Sequence, residues 1–162
     1  MSERPHVARS WGKKGQTPVI QTSFNWGKLS VIAGLTWHTF YWRLYPGSIK
    51  AAQCIDFLSH LKRQIKDKLL IIWDGLAVDR SKLVEKFVEQ SKDRLVLARL
   101  PAYAPELNPT EYIWRYCKCV SLANFCPKNL AQLTPFARRA LASTQRRVSL
   151  IRSFWRQAEL SL

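Results

Sequence analysis

Acidic residues are scarce in this chain. Only 11 Asp plus Glu stand against 26 Lys plus Arg in 162 residues, a net charge of +15. That shortage disfavours partners that are themselves cationic and favours polyanions, of which nucleic acid is the commonest. A soluble protein that is merely basic is the plainer alternative. A membrane-surface protein fits less well, because no long basic amphipathic helix stands apart from a globular pattern. Long apolar runs are also lacking. The longest, Leu69 to Trp73, falls far short of the roughly 20 residues needed to span a bilayer. Glu3 and Arg4 precede no hydrophobic region, so no signal peptide is expected and the location expected is cytoplasmic. Cysteines are few: Cys54, Cys117, Cys119 and Cys126 do not make a disulfide framework in a chain with an ample core. A zinc site would need the last three together, yet on a helix Cys117 and Cys119 point to different faces. The three histidines, His6, His38 and His60, add no partner spacing, so reduced thiols, buried or half-buried, are expected. There is no internal repeat or low-complexity tract.

Nearly half of the residues are apolar, and the length suits one domain with a real core. Residues 1–18 are polar, basic and turn-rich. Leu29 to Trp37 and Thr39 to Tyr45 read as strands, ended by Pro46-Gly47. Apolar positions at 51, 54, 55, 58, 61 and 65 form a helical stripe. Leu69 to Trp73 has no alternation and reads as a strand covered on both faces. A helix over Ser81 to Gln90 and a strand over Leu95 to Leu100 follow. A Pro-rich loop then leads into a helix from Pro109 to about Val120. Two more helices fit Asn129 to Ser143 and Gln145 to Ala158, the last with Ile151, Phe154, Trp155 and Ala158 in register. This order implies an α/β domain with a mixed sheet.

Two acids stand out. Asp74 follows the apolar run Ile71-Ile72-Trp73, and Glu111 ends Leu100-Pro101-Ala102-Tyr103-Ala104-Pro105-Glu106-Leu107-Asn108-Pro109-Thr110-Glu111. An acid at a strand's carboxyl end and another on a helix's first turn can hold a divalent metal together. Each has a plainer explanation. Asp74-Gly75 is ordinary turn chemistry. Asn108, Pro109 and Glu111 suit the N-cap, first and third positions of a helix, as in a capping box. Capping explains neither the segment 100–107 nor the Trp114 and Lys118 that follow.

Taken with Trp73-Asp74-Gly75-Leu76, this pattern resembles the DDE transposase superfamily, in its bacterial insertion-sequence branch related to mariner elements. The resemblance covers nearly the whole chain. It implies a ribonuclease H-like fold, a mixed sheet flanked by helices, in which residues 28–120 form the core and 129–160 the C-terminal helices, after a basic loop region at 1–18. It implies DNA transposition, by metal-dependent strand cleavage and strand transfer. Asp74 and Glu111 would be the second and third of three carboxylates around two Mg2+ ions. Such ions stabilise the attacking and leaving oxygens of an in-line displacement, about 4 Å apart, and take carboxylate oxygens and water in octahedral geometry.

Two departures from the family's pattern matter. Asp79 stands where relatives carry His; a helix N-cap or first-turn acid is its ordinary reading. The first acid, carried in that fold by the first and central strand, finds no counterpart. Glu3 is the only carboxylate in the first 55 residues, and Met1-Ser2-Glu3-Arg4-Pro5 looks like the segment just after that strand. The expectation is a truncated catalytic domain, inactive by itself. A partner or upstream transposase portion would supply the strand and its Asp. The alternative is a catalytically dead DNA-binding remnant, or a dominant-negative partner of a full-length transposase. An unrelated RNA-binding protein is a third reading. Lys13 and Lys14, between Gly12 and Gly15, and Arg115 and Lys118, on the helix that presents Glu111, are candidate phosphate contacts, though each alone could be a solvated surface cation. The expected partners are transposon ends and target DNA, with a homo-oligomer in a bacterial, nucleoid-associated setting. No helix-turn-helix for specific end recognition is visible, and the aromatic surplus reads as core.

Overall fold

The computed structural model describes residues 7–9, 11–16, 19, 27–74, 81–101 and 105–160. Strand β1 (Leu29–Leu35) and strand β2 (Phe40–Pro46) form an antiparallel hairpin, with Leu29 opposite Pro46 and Leu35 opposite Phe40. Thr36 closes the turn. Its amide and its hydroxyl both donate to the Thr39 carbonyl, at 2.8 Å each. Gly47 leaves the hairpin at φ +79°, a conformation that costs glycine little. There its amide donates to the Lys28 carbonyl at 2.7 Å.

Helix α1 (Ala51–Gln64) starts where the Gln53 side chain accepts from the Lys50 amide at 3.0 Å. It buries Cys54, Phe57, Leu58 and Leu61, an i, i+3, i+4, i+7 stripe that shares positions 54, 58 and 61 with the one read from the sequence and adds Phe57. Strand β3 (Leu69–Trp73), helix α2 (Lys82–Glu89) and strand β4 (Leu95–Arg99) follow as a strand–helix–strand unit. The two strands are parallel, with Leu69 opposite Leu95. Ser81 caps α2 by accepting from the Val84 amide at 3.3 Å. Arg94 ties this unit to α1. Its guanidinium donates to the carbonyls of Ile65 at 2.7 Å and Lys66 at 2.9 Å, satisfying acceptors that the helix end leaves open.

A short 3-10 turn, Pro105–Leu107, leads into α3 (Pro109–Tyr116), which widens into a π-turn at Cys117–Ser121. Helices α4 (Leu130–Gln145) and α5 (Val148–Gln157) complete the chain. Among the described residues there are two separate two-stranded sheets, β1–β2 and β3–β4, with no strand between β1 and β3.

Two cores result. Phe40, Ile113, Cys117, Leu141, Ile151 and Phe154 join the hairpin to α3, α4 and α5. Cys54, Leu58, Val84 and Leu95 join α1 and α2 to β3 and β4. Strand β1 serves both, because successive side chains of a strand point to opposite faces. Val31, Ala33 and Leu35 pack on the first core, and Ile32 on the second.

One expectation is corrected. Strand β3 is not covered on both faces: Leu70 is 65% and Ile72 60% exposed, while Leu69, Ile71 and Trp73 pack on the α1–α2 core. An apolar run without alternation shows that both faces tolerate burial. It does not show that both are buried. The helix expected to run to Val120 also ends its α-helical part at Tyr116. None of the four cysteines forms a disulfide: Cys54 and Cys117 are buried, Cys119 and Cys126 half-buried.

Candidate metal-binding carboxylate site

A cavity of about 460 Å3 separates the two sheets. Helix α1 contributes Cys54, Phe57, Leu58 and Leu61 to its lining. Two of its walls are runs of consecutive residues, Val31 to Thr36 along β1 and Leu69 to Asp74 along β3. Asp74 and Glu111 both line this cavity. They reach it from different elements, which is what a shared hard cation requires.

Asp74 is the first residue beyond β3, so a paired strand fixes its backbone while the carboxylate stays exposed. The turn with Gly75 lies outside the described residues, as does Asp79. The cap of the following helix is Ser81, not Asp79. Glu111 occupies the third position of α3. Asn108 does the capping: its side chain accepts from the Thr110 amide at 3.1 Å and from the Thr110 hydroxyl at 2.5 Å. Pro109 takes the first helical position. Among the described residues the Glu111 carboxylate makes no return bond to the Asn108 amide, so the capping box is only half made and the acid is available for another partner.

Electrostatics agree with that availability. Only two ion pairs form among the described residues, Arg43–Asp56 at 3.6 Å and Lys92–Glu89 at 2.9 Å. Asp74 and Glu111 belong to neither. Two oxygen-donor carboxylates that line one cavity and form no ion pair among the described residues offer the hard ligands that Mg2+ or Mn2+ prefers. The set is short by at least one ligand: no group of three His, Cys, Asp or Glu side chains converges among the described residues. Cys117 is buried, and chiefly that burial pushes its thiol up to about 11.

The candidate phosphate contacts divide. Arg115 and Lys118 are exposed and follow Glu111 by four and seven residues, which puts them along the same side of α3 and its π-turn. Lys13 and Lys14 sit in an exposed turn closed by the Gln16 amide on the Lys13 carbonyl at 2.9 Å, with Gly15 at φ +83°. Nothing described links that turn to the cavity.

Sequence reasoning overlooked a larger basic surface. No Asp or Glu occurs between Glu111 and Glu159, while Arg138, Arg139, Arg146, Arg147, Arg152 and Arg156 are all exposed on or beside α4 and α5. The signal was available as an acid-free stretch. It was hidden because charge was summed over the whole chain and not followed along it.

Comparison with known proteins identifies relatives of this fold. The family model described as DDE superfamily endonuclease matches residues 1–133. No curated protein sequence matches the chain. Among solved structures, the Mos1 strand transfer complex is 17% identical with a TM-score of 0.67, over 96% of this chain and 46% of its own. The Mos1 mariner paired end complex with Mn is 18% identical, TM-score 0.67, over 96% and 48%. The Mos1 transposase catalytic domain with raltegravir and Mg is 16% identical, TM-score 0.60, over 82% and 78%. At such identities the likeness establishes the fold, a ribonuclease H-like mixed α/β arrangement. The chain spans about half the length of the Mos1 transposase in its complexes with DNA ends.

Proposed function

Since this chain belongs to the DDE superfamily of endonucleases, we propose that it is the catalytic-domain portion of an insertion-sequence transposase, whose chemistry is metal-dependent DNA strand cleavage and strand transfer. One observation carries the reading: Asp74 and Glu111, from a strand end and a helix start, line one cavity. These two would hold Mg2+ or Mn2+, which when bound would supply charge neutralisation at a phosphodiester and activation of the attacking water or 3′ hydroxyl. The Mos1 structures with Mn and with Mg support that choice of metal.

The chain's own contributions are positional. Strand β3, paired with β4, fixes Asp74; the Asn108 cap and Pro109 fix the first turn of α3 and with it Glu111. Arg115 and Lys118, on the same side of α3, are placed to meet phosphates of DNA that reaches Glu111, and the arginines of α4 and α5 extend that basic surface. DNA ends and target DNA are the proposed substrates, a homo-oligomer the proposed assembly, and the bacterial cytoplasm with its nucleoid the proposed location. No helix among the described residues is long and apolar enough to cross a membrane.

A second reading has its own observation. The cavity presents two carboxylates and no third ligand among the described residues. A chain in that state binds DNA and turns over little, acting as a remnant or as a poison of a full-length transposase. A supercoiled-plasmid nicking assay with Mg2+ or Mn2+ separates the two. The transposase reading expects nicking that falls at least ~100-fold in Asp74→Asn and in Glu111→Gln, as when an essential charge-stabilising group is removed. Nicking untouched by both substitutions sinks the site; binding without nicking in every chain establishes the remnant.

A further inference from the structure

Among the described residues, two aromatic rings depart from the core and stand exposed, Trp11 and Phe136. Phe136 is held by a second ring. Phe125 stacks on it with centroids 4.1 Å apart and planes inclined by 29°. Phe125 in turn packs on the buried cluster of Leu29, Leu133 and Ala137. The order is core, Phe125, Phe136, solvent. Phe136 is 45% exposed, which forgoes part of the stabilisation its burial would bring, yet its orientation is fixed from beneath.

The surroundings of the ring decide what can lie on it. On α4 its exposed neighbours are Gln132, four residues before, and Arg139, three residues after. Arg138 is exposed next to Arg139, and no Asp or Glu occurs anywhere from 112 to 158. A lone ring among amides and cations falls far short of the roughly 800 Å2 per partner that a stable protein interface buries. A flat aromatic face beside a cation suits a planar group that carries a negative charge close by, as a nucleobase carries its phosphate. Three residues set Arg139 about 5 Å along the helix from Phe136, within reach of the phosphate that adjoins a stacked base.

We propose that the Phe125–Phe136 stack on α4 is a platform for an unpaired base of single-stranded DNA, with Arg139 on the adjoining phosphate. In a duplex both faces of each base are closed by its neighbours, so the ring selects bases that have left the stack. The choice of DNA rests on the function proposed above, and the choice of a single strand rests on the ring. The Gln132 side-chain oxygen already accepts from the Lys128 amide at 2.9 Å, so it does not read base edges and the platform accepts any sequence.

The experiment uses the full chain without metal, so that no strand is cut. Fluorescence anisotropy compares a labelled oligo-dA strand, the same strand made abasic, and a hairpin-closed duplex. The unsubstituted chain should bind the intact strand at least ~5-fold more tightly than the abasic one, the usual effect of one stacked base. Phe136→Ala should lose that factor on the intact strand and leave abasic and duplex affinities unchanged, and Phe136→Trp should restore it. Phe136→Leu, apolar but without an aromatic face, gives the same reading where Phe136→Ala does not fold. Arg139→Gln should weaken intact and abasic strands alike, since a phosphate contact carries no base information. Equal losses by Phe136→Ala on all three DNAs would mean that the ring only supports α4, and overturn the proposal. So would a dimer, seen by sedimentation, that Phe136→Ala dissolves, because the ring would then belong to a contact between copies. Duplex binding with no preference for the intact over the abasic strand overturns the platform and leaves the transposase reading standing. Absence of binding to any of the three DNAs overturns both.

Discussion

At the scale of single residues, Asn108 is the pivot of the site. Its buried side chain orders the first turn of α3, and the same turn carries Glu111. Asn108→Ala should cost about 1 kcal/mol of stability, the usual worth of an N-cap, read as a lower urea midpoint. His60 offers a different test. Burial first, then repulsion by Arg43 and Arg63 with Asp56 opposing, holds its pKa below the ordinary 6.5. Above pH 6.5 the ring is neutral in both folded and unfolded chains and contributes no pH dependence. As pH falls below 6.5 the unfolded chain binds the proton first, so stability declines until the depressed folded pKa is passed. His60→Gln should flatten that part of the stability–pH curve, measured by denaturant melts from pH 7.5 downward. Beside it, Tyr45 donates to Asp56 at 2.5 Å; burial first, and then that carboxylate, raise its pKa well above the ordinary phenol range. It therefore stays protonated throughout the experiment.

At the scale of elements, helix α4 supports the hairpin from outside. Leu141 is fully buried with Phe40, Ile113 and Ile151, and the Gln145 amide donates to the Phe40 carbonyl at 2.6 Å. Leu141→Ala should cost about 2–5 kcal/mol, seen in a chemical-denaturation midpoint. Trp155 secures the end of β1 in another way, donating to the Thr36 carbonyl at 2.9 Å and stacking on Trp37 at 4.4 Å. Most elements could be read directly from residues. The i, i+4 stripe from Ala51 and the Asn108 cap each encode their structure within one or two turns, whereas α2 is capped by Ser81 and not by the Asp79 that the sequence suggested. The bounds of β3 were equally legible. Its open face was not, because burial of Leu70 and Ile72 depends on what packs above them and no local pattern carries that. Asp74 and Glu111 were legible as candidates from their flanking motif. Their meeting at one cavity was not, since it depends on how α3 lies against β1 and β3.

At the scale of the whole molecule, charge governs encounter. With a net +15 and arginines spread over α4 and α5, DNA affinity should fall steeply with salt. Each neutralised phosphate adds about 0.9 to the slope of log K against log salt for duplex DNA. Replacing Arg138, Arg139, Arg146 and Arg147 by Gln should flatten that slope by about 2–4 and leave sequence preference unchanged, by fluorescence anisotropy at several salt concentrations.

The edges of β1 and β3 that border the cavity, which have no strand partner among the described residues, have a consequence for how copies of the chain behave among themselves. Bare strand edges invite sheet-to-sheet coalescence, and here the principal restraint on it is mutual repulsion between highly cationic molecules. A polyanion that coats the arginines removes the restraint without covering the edges. DNA, the proposed ligand of this surface, would then also be the agent that lets neighbouring chains touch. Crowding on one duplex would bring those edges within reach of each other and make the chain self-adhesive.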